Sequence, residues 1–482
     1  MEANITQQNR SSTALKSGIW YTISSISVKA VLIITLPLFT RLMSTADFGI
    51  AATFTSWYTL FNVICSLNLW YSIGRAKLDF PGELEEFVGS LQLLAFTFTL
   101  ALGTVSLFFL DRVAELLEMN QILVVILFIY LLAYPAVQLT QAKLKYLYNY
   151  KGNILITVFI TLSTILFSLA LIFVFSSQRY LGKSLGAVVS SVLLAIVIWT
   201  RSLRKGYVKV NFIYWKYALI ISVPLILNSV SLNILAQADR IFITKYCGSE
   251  DTGIYSLAYN YAILINIILN AVNEAWLPWF HDTFNDGLNE PIRKNVKPLV
   301  IFGCFFGVGC IAIAPEAMAI LGGKAYEGGV WVVPPVTLGI VCSYIFQHYE
   351  HIELHLKKTW YISAGTILAA GVNVVLNIIF IPVFGFVAAA YATLFCYLLL
   401  MIAHHFISRI ILKIKLYDDR FMYLAILVTA VFAAVFMLLY KQSPFWRWIL
   451  IIGISLGYLV SNRTYIEKIL KDKLHFNMKT TG

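Results

Sequence analysis

The stretch Phe421-Met-Tyr-Leu-Ala-Ile-Leu-Val-Thr-Ala-Val-Phe-Ala-Ala-Val-Phe-Met-Leu-Leu439 contains no charged residue. Crossing the hydrocarbon layer of a bilayer takes about 20 residues of helix at 1.5 Å each. A strand of a membrane barrel is shorter and alternates polar with apolar residues. This stretch does not alternate, and neither does Ile122–Leu132, so the spacing predicts membrane-spanning helices. Blocks of the same kind recur at about 18–40, 49–73, 88–110, 121–142, 152–176, 182–200, 217–237, 253–280, 299–320, 330–350, 360–381, 386–408 and 445–461. The expectation is therefore an all-α polytopic membrane protein with about 14 transmembrane helices.

Composition agrees with that class. The 482 residues are 59 % hydrophobic and only 12 % charged, against roughly 45–50 % and 25 % in soluble domains. A water-facing surface of this size needs more charge than the chain carries. No connection between blocks exceeds twenty residues, which argues against a globular catalytic domain. The first block lacks an A-x-A-like cleavage site and continues into Arg41, so it is expected to be a retained span rather than a signal peptide.

With the N-terminus inside, the inside loops and tails hold 26 of the Lys and Arg residues, and the outside loops hold nine. This asymmetry predicts cytoplasmic termini. It also accounts for the net charge of +12 through inside-positive bias and attraction to anionic membrane lipids. No basic domain exists, so nucleic acid is not an expected partner. The six cysteines include no CxxC pair, which leaves metal and redox frameworks unsupported. No metal or cofactor is expected.

The chain repeats at the level of halves. The first span is followed by Arg41 and Ala46-Asp47-Phe48-Gly49-Ile50, the seventh by Arg240 and Glu250-Asp251-Thr252-Gly253-Ile254. Lys151 opens the fifth span and Gly186-Ala187-Val188-Val189 the sixth; Lys357-Lys358 and Gly385-Phe386-Val387-Ala388-Ala389 do so for the eleventh and twelfth. Six crossings return a chain to its starting side, so the halves are parallel repeats. Transporters of that design bind substrate between the halves. The expected divisions are an N-terminal lobe (1–200), a C-terminal lobe (201–412), and two further helices with a cytoplasmic tail (413–482).

Polar side chains inside the spans mark candidate positions, because each costs energy in lipid. Lys29 lies mid-span, where lysine costs roughly 2.5–3.5 kcal/mol, and shares a helical face with Thr22 and Ser25. Asn266, Asn270, Asn273 and Glu274 form a stripe in the eighth span. Thr55, Thr59, Asn62 and Ser66 form one in the second, Asn228, Asn233 and Gln237 mark the seventh, and Asn373 pairs with Asn377 in the eleventh. Each asparagine alone suits interhelical bonding; stripes in both halves suit one shared wet cavity. Prolines 37, 135, 224, 278 and 382 interrupt or end spans and permit kinks. His351-Ile-Glu-Leu-His355 lacks the Glu that a zinc protease helix needs at Ile352, and the adjacent His404 and His405 face different directions on a helix.

The run Lys357-Lys358-Thr359, Gly371-Val-Asn373-Val-Val-Leu376-Asn377-Ile-Ile-Phe-Ile-Pro382 and Phe384-Gly385-Phe386-Val-Ala-Ala-Ala390-Tyr-Ala-Thr393 resembles the polysaccharide transporter branch of the MOP exporter superfamily. So do Asn270-Ala-Val-Asn-Glu-Ala-Trp276-Leu-Pro278-Trp279-Phe280, Asp239-Arg240 with Gly253-Ile254-Tyr255, and Leu321-Gly322-Gly323 with Tyr326. That branch includes the Wzx-type flippases, and the likeness covers residues 15 to 410. The resemblance implies two six-helix lobes around a V-shaped cavity, with two C-terminal helices at the side. It implies no enzymatic activity, a cell inner (plasma) membrane location, a polyprenyl-pyrophosphate-linked oligosaccharide as substrate, and partnership with a polysaccharide polymerase and a chain-length regulator. Cavity cations receive pyrophosphate in that family; Lys29 and Arg75 match that role here. The remaining cavity expectations are Asn62, Asn228, Asn266, Asn270 and Asn377, with Glu274 as a proton-coupling group. A MATE-like drug exporter and a membrane-embedded glycan polymerase or acyltransferase are the alternatives. The missing large outside loop argues against a polymerase.

Overall fold

The computed structural model describes residues 34–442 and 444–461, together with Trp20, Ser27, Val28 and Val31. All regular structure among the described residues is helical. After a helical segment at 34–42 come α1 (Thr45–Cys65), α2 (Ile73–Asp79), α3 (Leu84–Phe108), α4 (Leu110–Leu116), α5 (Gln121–Tyr146) and α6 (Tyr150–Val174). Next are α7 (Arg179–Arg204), α8 (Phe212–Cys247), α9 (Ser249–Ala262), α10 (Leu264–Asn285), α11 (Asn289–Ala312) and α12 (Ala314–Leu321). The last described helices are α13 (Val333–His355), α14 (Thr359–Phe384), α15 (Val387–Phe406), α16 (Asp419–Leu439) and α17 (Pro444–Ser461).

Side-chain caps start several of these helices where the sequence offers Ser, Asn or Asp. Ser44 accepts from the amide of Asp47, Asn120 from Leu123, Asn149 from Gly152, Asn211 from Ile213, and Asp418 from Phe421. Each cap satisfies an amide that the helix itself leaves unpaired. Pro135, Pro224, Pro278 and Pro382 lie inside helices rather than ending them.

Among the described residues, eleven helices are long and apolar enough to cross a membrane. The number is twelve if the 3₁₀ turn Lys324–Trp331 and α13, which meet at 47°, count as one span. These twelve coincide with twelve of the fourteen apolar blocks. The other two are the block at 18–40, described as continuous helix only over 34–42, and the C-terminal block, which forms α17.

The basic loops gather at one end. Lys143 pairs with Glu85 at 2.6 Å, Tyr217 donates to Asp79 at 2.7 Å, and Lys77 donates to the carbonyl of Tyr146 at 2.7 Å. In the later helices Lys297 pairs with Asp418 at 2.8 Å, and Arg293 donates to the carbonyl of Leu416. That Lys297 contact, with the amide of Phe421, holds the Asp418 carboxyl below its ordinary range. At the opposite end Asn120 donates to Tyr180, and Arg447 pairs with Glu316.

The two copies of the repeated segment meet at that opposite end. A Cβ on Gly49 would sit 1.8 Å from the carbonyl oxygen of Ser249, and one on Gly253 would sit 2.1 Å from that of Thr45. Helices α1 and α9 thus cross backbone to backbone, and no side chain fits at either glycine. Phe39, Met43, Phe48 and Ala51 continue the apolar cluster that Tyr255, Met318, Tyr326 and Val333 build beyond the crossing. Along its length α1 also follows α8. Thr53 bonds Thr244 at 2.6 Å, Ser56 donates to Gln237 at 3.3 Å, and Asn68 donates to Ser229 at 2.9 Å. Ala433 and Phe436 of α16 pack on Val308 and Ile311 of α11, with α17 alongside.

Candidate functional site

Helix α10 carries the clearest polar stripe. Asn266 and Asn270 are half-buried, Glu274 is exposed, and among the described residues none of the three makes a side-chain hydrogen bond or ion pair. Among the described residues the principal partners of α10 are α9, α11 and α13. Unpaired amides and a carboxylate facing lipid would be costly; facing water they cost little. Asn273 differs: it donates to Gln347 at 2.8 Å and meets His351 Nε2 at 2.7 Å, bonding α10 to α13.

The other sequence candidates separate into three kinds. Lys29 lies outside the described residues, as do Thr22 and Ser25. Asn62 is 8 % exposed and donates to Gln138 of α5 at 3.4 Å, its own oxygen being buried without a partner. The Asn228 oxygen is likewise buried and unpartnered. Arg75 is exposed at the basic end and pairs with Asp79 at 3.0 Å; the Tyr217 hydroxyl and this guanidinium hold that carboxyl below its ordinary value.

Asn377 does not face open space in this state. It is fully buried in a cluster around Asp239, a residue quoted above only as part of a motif. Asp239 accepts from the Tyr255 hydroxyl at 2.5 Å, from Asn377 at 2.8 Å and from Thr393 at 2.7 Å, while Asn377 also donates to Asn373. Arg240 turns away, lying 4.5 Å from the centre of the Tyr259 ring and donating to Gln237. The oxygens of Asp239, Asn373, Asn377 and Thr393 are hard donors, suited to a hard cation; three hydrogen bonds occupy the carboxylate here.

Several histidines have polar partners, whereas both ring nitrogens of the buried His348 lack one among the described residues. His281 and His355 meet at 2.9 Å, and His404 bonds the fully buried Glu353 at 2.8 Å. Among the described residues no group of three or more His, Cys, Asp or Glu side chains is placed to hold a metal ion.

A second polar region escaped the sequence reading. Gln138, Gln141 and Lys145 lie on one face of α5 by three- and four-residue spacing. With Trp70, Tyr146 and Asn153 they line a cleft of about 300 Å³ near the basic end. The spacing signal was present in the sequence, interleaved with the apolar positions of the fourth block.

This bundle, with two glycine-locked repeats and polar stripes in apolar helices, is the fold of a multi-pass membrane protein. The family described as "Polysaccharide biosynthesis protein" matches residues 14–284, more than half of the chain, and the chain belongs to it. The fold is similar to that of a lipid II flippase MurJ in an inward closed conformation, with a TM-score of 0.66 and 16 % identity; the likeness covers 94 % of this chain and all of that one. It is also similar to an inward-facing multidrug resistance MATE family transporter, with a TM-score of 0.57 and 12 % identity over 80 % of this chain and 98 % of that one. A MOP superfamily transporter from Pyrococcus furiosus matches with a TM-score of 0.55 and 12 % identity, over 83 % and 95 %. The Haemophilus influenzae Lsg locus putative protein 1 is 35 % identical over 66 residues, a segment spanning 14 % of this chain and only 16 % of that protein. The structural relatives are a flippase and transporters, not enzymes.

Proposed function

We propose that this protein is a flippase for a polyprenyl-pyrophosphate-linked oligosaccharide. It carries the headgroup from the cytoplasmic to the outer leaflet for surface polysaccharide synthesis. The chain forms about fourteen spans with both termini in the cytoplasm of the cell inner membrane. Residues 1–200 and 201–412 are two lobes that rock about a central cavity, and 413–482 is the appendage. The lipid tail stays in the bilayer while the headgroup crosses. Carrying phosphates and hydroxyls through bare hydrocarbon would cost many kcal/mol, so solvation is the protein's main service.

The observation that carries this reading is the unpaired stripe Asn266, Asn270 and Glu274 on an apolar helix, in a chain of the polysaccharide biosynthesis family. Asparagines of the cavity, including Asn62, Asn228 and Asn377 as the state changes, bond sugar hydroxyls. Lys29 and Arg75 neutralise phosphate, and Glu274 takes up the proton that couples transport to the gradient. The polymerase and chain-length regulator act on the product at the outer face.

Complementation tests this assignment. The protein should restore surface polysaccharide to a flippase-deficient strain and not to a polymerase-deficient one. Lys29→Ala and Glu274→Gln should each abolish that rescue while the protein remains inserted at normal abundance. Undiminished rescue by either variant removes that residue from the mechanism.

A further inference from the structure

We propose that the cleft between α5, the first turn of α6 and Trp70 is a carbohydrate subsite for a pyranose ring bearing an anionic substituent. The proposal rests on the flippase assignment and deepens it by naming what part of the headgroup the N-terminal helices grip.

The lining is made of half-used carboxamides. Gln138 Oε1 accepts from Asn62 at 3.4 Å, which leaves its amide group free to donate. Gln141 donates to Thr157 at 3.1 Å, which leaves its oxygen free to accept. The Asn153 oxygen is buried without a partner. Side chains that merely glue helices together satisfy each other; here Gln138 keeps a donor and Gln141 an acceptor in reserve. A sugar hydroxyl needs one of each, because it donates once and accepts as well. Trp70 adds a flat apolar wall, the surface against which the C–H face of a pyranose packs, and its ring stacks on Tyr71 at 3.7 Å between centroids.

Lys145 gives the cleft its charge preference. It is exposed at the rim, and among the described residues its ammonium makes no hydrogen bond or ion pair, whereas that of nearby Lys77 is held by the carbonyl of Tyr146. A free ammonium beside neutral amides favours a carboxylate or phosphate on the ring and disfavours a cationic drug. The volume of about 300 Å³ lies at the small end of the roughly 300–1,000 Å³ of small-molecule sites, which suits one ring rather than a whole repeat unit. The cleft lies at the end where the basic loops gather, the side on which the substrate is loaded.

The test uses the full-length protein in nanodiscs, carrying Gln138→Cys or, separately, Thr157→Cys, with modification by a maleimide read at that site by mass spectrometry. The probes are glucuronic acid, glucose 1-phosphate, glucose and inorganic phosphate at millimolar concentration. The two acidic sugars should slow modification at both positions, glucose less, and inorganic phosphate least. Whether the carboxylate or the phosphate sugar protects better identifies the substituent. Adding the surface change Lys145→Gln should weaken protection by the acidic sugars about tenfold, the equivalent of one charge-assisted hydrogen bond, and leave glucose unchanged. Equal modification with and without every sugar overturns the proposal, as does protection by inorganic phosphate equal to that by glucose 1-phosphate. Failure of the flippase assignment shows elsewhere, in a wild-type protein that does not rescue the flippase-deficient strain. Rescue without sugar protection would sink the subsite alone.

Discussion

Asp239 sits 1 % exposed and, among the described residues, has no ion-pair partner; three donors from α9, α14 and α15 hold it instead. Tyr255, Asn377 and Thr393 are 16, 138 and 154 residues away in sequence, so one carboxylate ties four helices together. Hydrogen bonds to a charged group contribute about 1.5–3 kcal/mol each, and orphaning their buried partners costs as much again. Asp239→Leu should therefore destabilise the protein by about 3–5 kcal/mol, seen as a lower unfolding temperature in detergent. Asp239→Asn, which keeps an acceptor, should lose clearly less. Equal loss in the two variants would mean that the pocket needs the charge and not the hydrogen bonds.

Helices were legible where hydropathy alone decides them, and less so where a neighbour does. The block at 253–280 reads as one span and forms one, Ser249–Asn285, with a single-residue interruption at Ile263 between α9 and α10. No glycine or proline marks that interruption in the sequence. The break after α11 is better signposted, because Pro315 enters the first turn of α12. In the same way the spacing of Asn266, Asn270 and Glu274 identified a polar face, while the pairing of Asn273 with Gln347 and His351 depended on a helix more than seventy residues away. Asn377 was legible as a buried polar group but not as a partner of Asp239, for the same reason. The repeated Asp-x-Gly-Ile and Asp-Thr-Gly-Ile segments carry more, since their glycines form the crossing of α1 with α9. Gly49→Val places a side chain where 1.8 Å is available to a backbone oxygen, and overpacking of this kind costs typically about 1–3 kcal/mol. It should prise this end open. Thr53→Cys with Thr244→Cys, whose hydroxyls meet at 2.6 Å, reports closure by disulfide formation in a Cys247→Ser background. Crosslinking should fall in the Gly49→Val protein; undiminished crosslinking would show that the crossing does not hold the ends together.

At the scale of the whole molecule, the glycine crossing joins the two repeats at the end opposite the basic loops, and Asn266 and Asn270 of α10 are unpaired among the described residues. A transporter that solvates a headgroup needs both features: one end shut while a polar path is entered from the other. The most direct test uses the purified protein in vesicles loaded with a fluorescently labelled polyprenyl-pyrophosphate oligosaccharide, with an impermeant reductant destroying the label on the outer leaflet. With the protein present, nearly all the label should become accessible over time, and Lys29→Ala vesicles should plateau at the outer-leaflet half seen without protein. A wild-type protein that leaves the inner-leaflet half protected, in vesicles where it is folded and correctly inserted, would contradict the account.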